Sequence, residues 1–129
     1  MDHRHQLKLT VMPGKFAIHR FAPDAALPEE VLSSNFLSVT RTDEELSIVC
    51  GEGLLLESPR CEVGWSCIKV IGPMNFSLTG ILARLAHLLA DADISLFALS
   101  TFDTDYLLVK TDQLKPAVDA LAAGGCNFL

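Results

Sequence analysis

The feature that most constrains this chain is a helical stripe set between two stretches with strand patterning. The stripe consists of Ile81, Leu82, Leu85, Leu88 and Leu89, which recur at helical spacing. The polar residues Arg84 and His87 lie off the stripe. Burying five such side chains is worth about 10 kcal/mol before entropy is counted, and it requires a sheet to pack against. We therefore predict an amphipathic helix near Thr79–Ala92 that covers a sheet.

Strand patterns flank this helix. Before it, Cys67–Ile71 is a short apolar run that is rich in β-branched residues and ends at Gly72-Pro73. The elements predicted after it are the strand Ile94–Ser100, a turn over 101–105, the strand Tyr106–Lys110, the helix Gln113–Ala123 and a short strand at 127–129. This order is that of a ferredoxin-like βαββαβ unit, which places the chain in the α+β class.

The hairpin has a counterpart earlier in the chain. Shifted by 60 residues without a gap, FLSVTRTDEELSIVC aligns with LFALSTFDTDYLLVK, so that Asp43 aligns with Asp103. Earlier strands align at a shift of 50, with Ile18 on Ile68. The first unit therefore lacks about ten residues where the second has its long helix. We predict two ferredoxin-like units in tandem, over 1–62 and 63–129, the first with a shortened helix.

The N-terminal half reads as a series of short strands. Leu7–Val11 and Phe16–Phe21 alternate around Pro13-Gly14, which predicts a hairpin. Gly53–Ser58 is an apolar, strand-like run that would complete the first unit. Asp93, just after the long helix, takes a place where a positive φ is common, and aspartate tolerates that conformation.

Charge and composition exclude several classes of function. The net charge of −6 argues against a nucleic-acid partner, and no apolar run is long enough to span a membrane. The first residues are polar and lack the apolar region of a signal peptide. The four cysteines have no metal-ligand spacing, so we expect reduced, packed thiols, no metal and a cytoplasmic protein, although a Cys61–Cys67 disulfide stays open. His3 and His5 fit a solvated terminus better than a metal site.

The stretch SLTGILARLAHLLADADISLFALSTFDTDYLLV resembles the ACT domain, a small amino-acid-sensing module. Within that family it is most similar to small bacterial ACT proteins related to the CASTOR arginine sensors. SLTGIL at the helix start and STFDTDYLLV across the hairpin carry the resemblance. It implies a non-catalytic regulatory protein that binds a free amino acid and needs no cofactor.

The first candidate site is the start of the long helix. Helix N-termini leave N–H groups unpaired and carry partial positive charge, which suits a carboxylate. Ser77 and Thr79 are alternative helix caps, and Gly80 permits close approach to the backbone. The alternative is that these residues only cap and pack the helix. The resemblance implies that the carboxylate of an amino acid meets the N–H groups of Thr79, Gly80, Ile81 and Leu82, although Asn75 departs from the family's aspartate.

The second candidate site is the hairpin turn. By composition alone it reads as an ordinary solvated turn, with Asp105 as an exposed residue that contributes little to folding. In the arginine sensors, the T-F-x-x-D turn closes over the ligand and its aspartate holds the guanidinium. The resemblance places those roles on Thr101, Phe102 and Asp105, and it implies a polar or cationic amino acid.

The third candidate site is the edge strand Ile94–Ser100. In a βαββαβ sheet this strand lies at an edge, and here it carries no Lys or Pro that would protect it. The resemblance implies that two units join side by side at this edge, in one chain or in a homodimer, with the ligand between them and near Ser95. The alternative function is a protein-interaction module that acts through this edge and has no small-molecule ligand. The sequence shows no Ser-His-Asp or Cys-His arrangement and no nucleotide-binding fingerprint, so we expect no enzyme.

Overall fold

The computed structural model of the protein describes residues 6–72 and 78–129. Its elements in chain order are β1 (Lys8–Val11), β2 (Phe16–Phe21), a 3₁₀ turn (Glu29–Ser33), β3 (Leu37–Arg41), β4 (Leu46–Gly51), β5 (Arg60–Gly72), α1 (Leu78–Asp91), β6 (Phe97–Ser100), β7 (Asp105–Lys110), a 3₁₀ turn (Thr111–Gln113), α2 (Leu114–Ala123) and β8 (Asn127–Phe128). The predicted α+β class is confirmed. Within the described residues, no helix is long and apolar enough to cross a membrane.

The chain divides into two compact units. The first, called the split unit here, comprises Met1–Pro13 and Ser66–Leu129, and the second, the inserted unit, comprises Gly14–Trp65. The sequence predicts units over 1–62 and 63–129, with the N-terminal strand in the first unit. In the structure, β1 instead hydrogen-bonds to the second half of β5 and to β8, so it belongs with the C-terminal residues. The boundary falls inside β5, a continuous strand whose early residues pair with β2.

The split unit follows the predicted βαββαβ order from β5 to β8. Its strands lie in the order β6-β7-β5-β1-β8, with the N-terminal strand β1 between β5 and β8. Helix α1 spans Leu78–Asp91, in agreement with the predicted Thr79–Ala92. The predicted stripe is also confirmed, because Ile81, Leu85 and Leu89 are buried in the core and the other two members pack against it. Asp93, just after this helix, has a positive φ, as predicted.

The inserted unit has a reduced set of helices. Its strands lie in the order β3-β4-β2-β5, and the 3₁₀ turn Glu29–Ser33 takes the place of a first helix. This confirms the predicted shortened helix. A small core forms around Val31 and Ile48. The strand predicted at Gly53–Ser58 is wrong: the segment forms no strand, although Leu54 and Leu56 pack against this core while Leu55 is exposed.

The predicted hairpin between the first two strands is also wrong. β1 pairs with β5 at Ile68–Gly72, whereas β2 pairs with β4 and with the early part of β5. Both strands were correctly located, but thirteen-residue β5 supplies backbone partners for each. A turn motif such as Pro13-Gly14 changes the direction of the chain, but it does not determine whether the two strands that it connects pair with each other.

The two hairpins correspond to each other with a one-residue correction. In β3–β4 the last pair before the turn is Arg41 and Leu46, and in β6–β7 it is Ser100 and Asp105. The equivalent residues are therefore 59 apart, whereas the ungapped alignment used 60. The burial patterns of β4 and β7 agree along all six residues at this spacing. Side chains alternate between faces, so the correction changes which residues are equivalent on the core side.

The four cysteines are free thiols, of which Cys50, Cys67 and Cys126 are buried and Cys61 is exposed. The disulfide that the sequence left open between Cys61 and Cys67 is incompatible with this fold. Both residues lie on β5, six positions apart, which places their Cα atoms about 20 Å from each other. A disulfide needs Cα atoms within about 7 Å.

Candidate functional site

The turn between β6 and β7 is closed by its own threonines and tied to the sheet. The backbone N–H of Thr101 donates to the Thr104 carbonyl at 2.8 Å, and the Thr101 hydroxyl donates to the same oxygen at 3.1 Å. The buried Thr104 hydroxyl donates to the carbonyl of Val70 on β5 at 2.6 Å. The turn thus lies at the end of β5 from which the chain continues to α1. Sequence reasoning missed Thr104, which resembles any other turn threonine.

Asp105 is buried, and the expectation of an exposed turn residue was wrong. Its exposed fraction is 1%, because it is the first residue of β7 and alternates with the core residues Leu107 and Val109. The Ser100 hydroxyl donates to Asp105 Oδ1 at 2.6 Å. Asp105 Oδ2 is buried as well, and it has no hydrogen-bond partner among the described residues. A buried carboxylate with one open acceptor is a costly arrangement.

The inserted unit has an apolar residue at the position equivalent to Asp105. Leu46, the residue equivalent to Asp105, is completely buried in an apolar core. The matching turn has the same bond, from the N–H of Thr42 to the carbonyl of Glu45 at 2.9 Å. The other buried positions of β4 and β7 hold apolar residues in both units, so this is the one buried strand position where the split unit has a carboxylate in place of an apolar side chain. Fold stability alone does not explain that choice.

The start of α1 follows the end of β5 by six residues in the chain. The helix begins at Leu78, and the preceding residues 73–77, which include Asn75 and Ser77, lie outside the described residues. Gly80 is exposed, and a Cβ placed there would meet no described atom within 4 Å. A helix that begins at Leu78 has its unpaired N–H groups nearest Thr79 and Gly80, whereas Leu82 is one full turn inside. Ile81 is buried in the core, so it can offer a ligand its backbone alone.

The remaining predicted residues surround the turn. Phe102 is 97% exposed at its tip, and Ser95 is exposed ahead of the edge strand. Thr101 lines an open cleft of about 430 Å³, together with Lys69, Val70, Ile71, Asp103, Thr104 and Tyr106. Sequence reasoning missed Lys69 and Tyr106 because nothing in a strand pattern shows that two strands present their side chains to one cleft. The structure thus brings the turn and β5 together, whereas the described side chains of Ile81 and Leu82 are not part of the lining.

The predicted edge strand is shorter than expected. β6 spans Phe97–Ser100, and Ile94 is a core residue instead. Within the described chain, β6 pairs with β7 and with no other strand, so its outer edge is open there. Phe97 and Leu99 are half-buried, whereas Ala98 and Ser100 are exposed. This alternating edge is the geometry that accepts an added strand.

A second polar cluster lies in the inserted unit. Buried His19 places Nδ1 2.8 Å from the Ser58 hydroxyl and Nε2 4.0 Å from the Cys61 sulfur. Burial lowers the pKa of His19. Burial also raises the pKa of the Cys61 thiol; a hydrogen bond from Ser58 lowers it, and the carboxylates of Glu52 and Glu62 raise it. Sequence reasoning found no Cys-His pair because these residues are 42 positions apart. The described residues contain no group of three or more His, Cys, Asp or Glu that could hold a metal ion.

Known proteins match both units. The ACT domain family model matches residues 60–123, and a second family model, of an N-terminal domain, matches residues 14–55. The cytosolic arginine sensor for mTORC1 subunit 1 of Pongo abelii is 32% identical over 122 residues, which cover 87% of this chain and 37% of that protein. The human protein of the same name is 39% identical over 69 residues, or 53% of this chain and 21% of its own length. The chain thus spans little more than a third of these curated relatives.

Solved structures share the whole fold. Protein Atu0741 from Agobacterium tumefaciens is 39% identical, with a TM-score of 0.89 over 96% of this chain and 92% of that one. The regulatory subunit of aspartate kinase from Thermus thermophilus has a TM-score of 0.63 over 90% of this chain and 96% of that one, but its 10% identity supports the fold alone. The family match over the split unit's hairpin and helices agrees with the βαββαβ order found there. Residues 60–123 of this chain belong to the ACT domain family.

Proposed function

We propose that this chain is a non-catalytic regulatory module that binds a free amino acid. The observation that carries the proposal is Asp105. Its carboxylate is buried at a position where the inserted unit has Leu46, and its Oδ2 has no partner among the described residues. An ammonium, guanidinium or amide group of a ligand is the partner that this oxygen lacks.

The other end of the ligand is proposed to lie at the start of α1. A carboxylate there accepts hydrogen bonds from the N–H groups near Thr79 and Gly80, and the helix dipole favours its negative charge. No described atom lies within 4 Å of the place that a Gly80 Cβ would take, and this leaves room for that group. The turn is tied to Val70 near the end of β5, and α1 begins six residues after that strand ends, so we propose that one extended amino acid reaches both. In this arrangement Thr101 and Phe102 cover the ligand.

We propose that the ligand is a polar or cationic amino acid, with arginine as the first to test. The curated relatives are named as cytosolic arginine sensors, and the net charge of −6 favours a cationic ligand. A bidentate guanidinium would use Asp105 Oδ2 as one of its two acceptors. By the same relationship we propose a cytoplasmic location.

The site is proposed to be completed by a second copy of the chain. The outer edge of β6 is open among the described residues, and a neighbouring edge strand placed there would close the ligand off from solvent near Ser95. The alternative function is an interaction module with no ligand. The exposed Phe102 beside this open edge favours it, because large exposed aromatic groups are typical of contact surfaces.

Isothermal titration calorimetry of the full chain with each of the twenty amino acids tests the proposal. Asp105→Asn should weaken binding by about ten- to a hundred-fold, because a charge-assisted hydrogen bond is worth about 1.5–3 kcal/mol. Asp43→Asn is the matched control: it removes one charge from the corresponding turn of the inserted unit and should leave affinity unchanged. If no amino acid binds, while the protein still self-associates or captures a partner through β6, the interaction module is the better account.

A further inference from the structure

The cluster of His19, Ser58 and Cys61 has no part in the proposed amino-acid site. It lies in the inserted unit, and its members come from β2, from the segment before β5 and from β5 itself. His19 and Cys61 are directly paired in the β2–β5 register, so their side chains share one face of the sheet. The thiol is exposed, and the imidazole beside it is buried.

This pair is poorly suited to act as a nucleophile. A Cys-His nucleophile works as a thiolate beside an imidazolium. Here the imidazole is buried, where a positive charge is costly, and burial together with the negative charges of Glu52 and Glu62 raises the pKa of the Cys61 thiol. The negative charges of Glu52 and Glu62 disfavour a thiolate that has no cation bound to it. They favour a thiolate to which a cation is bound.

We propose that Cys61 and His19 form a two-coordinate site for a soft monovalent metal cation of the copper(I) class. Thiolate and imidazole are the ligands that such an ion prefers. The described residues offer no third ligand, which excludes the tetrahedral set that structural zinc requires. An ion in line between the two atoms needs a sulfur–nitrogen separation of about 4.3 Å, if its bonds resemble those of zinc, about 2.3 Å to sulfur and about 2.0 Å to nitrogen. The observed separation is 4.0 Å.

Ser58 orients the imidazole for this role. Its hydroxyl lies 2.8 Å from His19 Nδ1 and can accept the proton of that nitrogen. Assigned from this bond, the tautomer leaves the lone pair of Nε2 directed at the Cys61 sulfur. When the cation binds, the thiol proton is released to solvent and a sulfur–metal bond replaces the sulfur–hydrogen bond. The oxidation state of the metal does not change.

Silver(I), a redox-inert ion of the same class, is the probe. Calorimetry of the full chain under reducing, thiol-free conditions should show one tight equivalent. Cys61→Ser should abolish it, His19→Gln should weaken it at least tenfold, and Ser58→Ala should weaken it roughly tenfold by releasing the ring. Cys126→Ala is the control, since it removes a buried thiol from the split unit and should leave the first equivalent unchanged.

Nitrogen-15 NMR of the histidine rings keeps the test decisive if His19→Gln does not fold. Silver should shift Nε2 of His19 in the wild type and leave the rings of the other histidines unchanged. A tight equivalent that needs Cys61 but leaves the His19 ring unshifted would mean that an isolated surface thiol captures the ion, and the proposed site would be wrong. Absence of a tight equivalent would also overturn it.

Discussion

Replacing Asp105 by valine should stabilise the ligand-free protein while abolishing amino-acid binding. The carboxylate is 1% exposed, receives one hydrogen bond at Oδ1 and leaves Oδ2 without a described partner. Valine suits a buried strand position, and the equivalent residue Leu46 shows that this hairpin accepts an apolar side chain there. Ser100 is exposed, so water can satisfy its hydroxyl after the change.

The expected gain in the free energy of unfolding follows from Asp105 Oδ2, which has no described hydrogen-bond partner. A buried polar group without a partner costs about 1–3 kcal/mol, and apolar replacements of similar volume are often neutral or stabilising. Part of the gain is offset because valine is larger than aspartate and the core must adjust. We therefore expect the free energy of unfolding to rise by about 1–2 kcal/mol. At about 4 °C per kcal/mol, Tm should rise by about 4–8 °C.

Urea denaturation and differential scanning calorimetry at pH 7, without added amino acid, measure this change. Asp105→Asn keeps the size and polarity of the side chain and should gain much less. Asp43→Val, in an exposed turn, should stay within about 0.5 kcal/mol of the wild type. A lower urea midpoint for Asp105→Val would show that the carboxylate supports the fold. Its burial would then be explained by the fold, and Asp105 would not be kept for a ligand.

Three further changes test other parts of the structure. Gly80→Ala should leave the free energy of unfolding unchanged or raise it by up to about 1 kcal/mol, because no described atom would meet the new Cβ and alanine favours helices. In calorimetry it should weaken the binding of every amino acid alike. Selective loss of one ligand would contradict the carboxylate assignment. Burial lowers the pKa of His19, so the contribution of this residue to stability is complete above the unfolded pKa of about 6.5 and is lost as pH falls toward the folded value. His19→Gln should therefore reduce the pH dependence of the urea midpoint between pH 7.5 and 5. An unchanged pH dependence would show that another group titrates. Leu99→Lys on the open edge should lower the mass measured by light scattering if two copies join there, and an unchanged mass would show that β6 is not the joint.

The sequence by itself determined the local elements of this protein. The apolar stripe of α1 and the hairpins β3–β4 and β6–β7 depend on spacings of a few residues, and these are set by helix and strand geometry. The positive φ of Asp93 is equally local, since it follows from the end of the helix before it. The shortened helix of the inserted unit could be inferred because the two repeats differ in length. The resemblance to the ACT domain rests on these same local features.

The tertiary structure alone decided the partners of each element. β1 and β2 were both located from sequence, but their pairing with β5 depends on backbone groups that any strand could offer. A one-residue change in the alignment of the two hairpins makes Asp105 the equivalent of Leu46, and only the strand register reveals this. The same holds for Cys61 and His19. Periodicity reports which face of an element is buried, whereas the residues that meet across that face are chosen by contacts between distant segments.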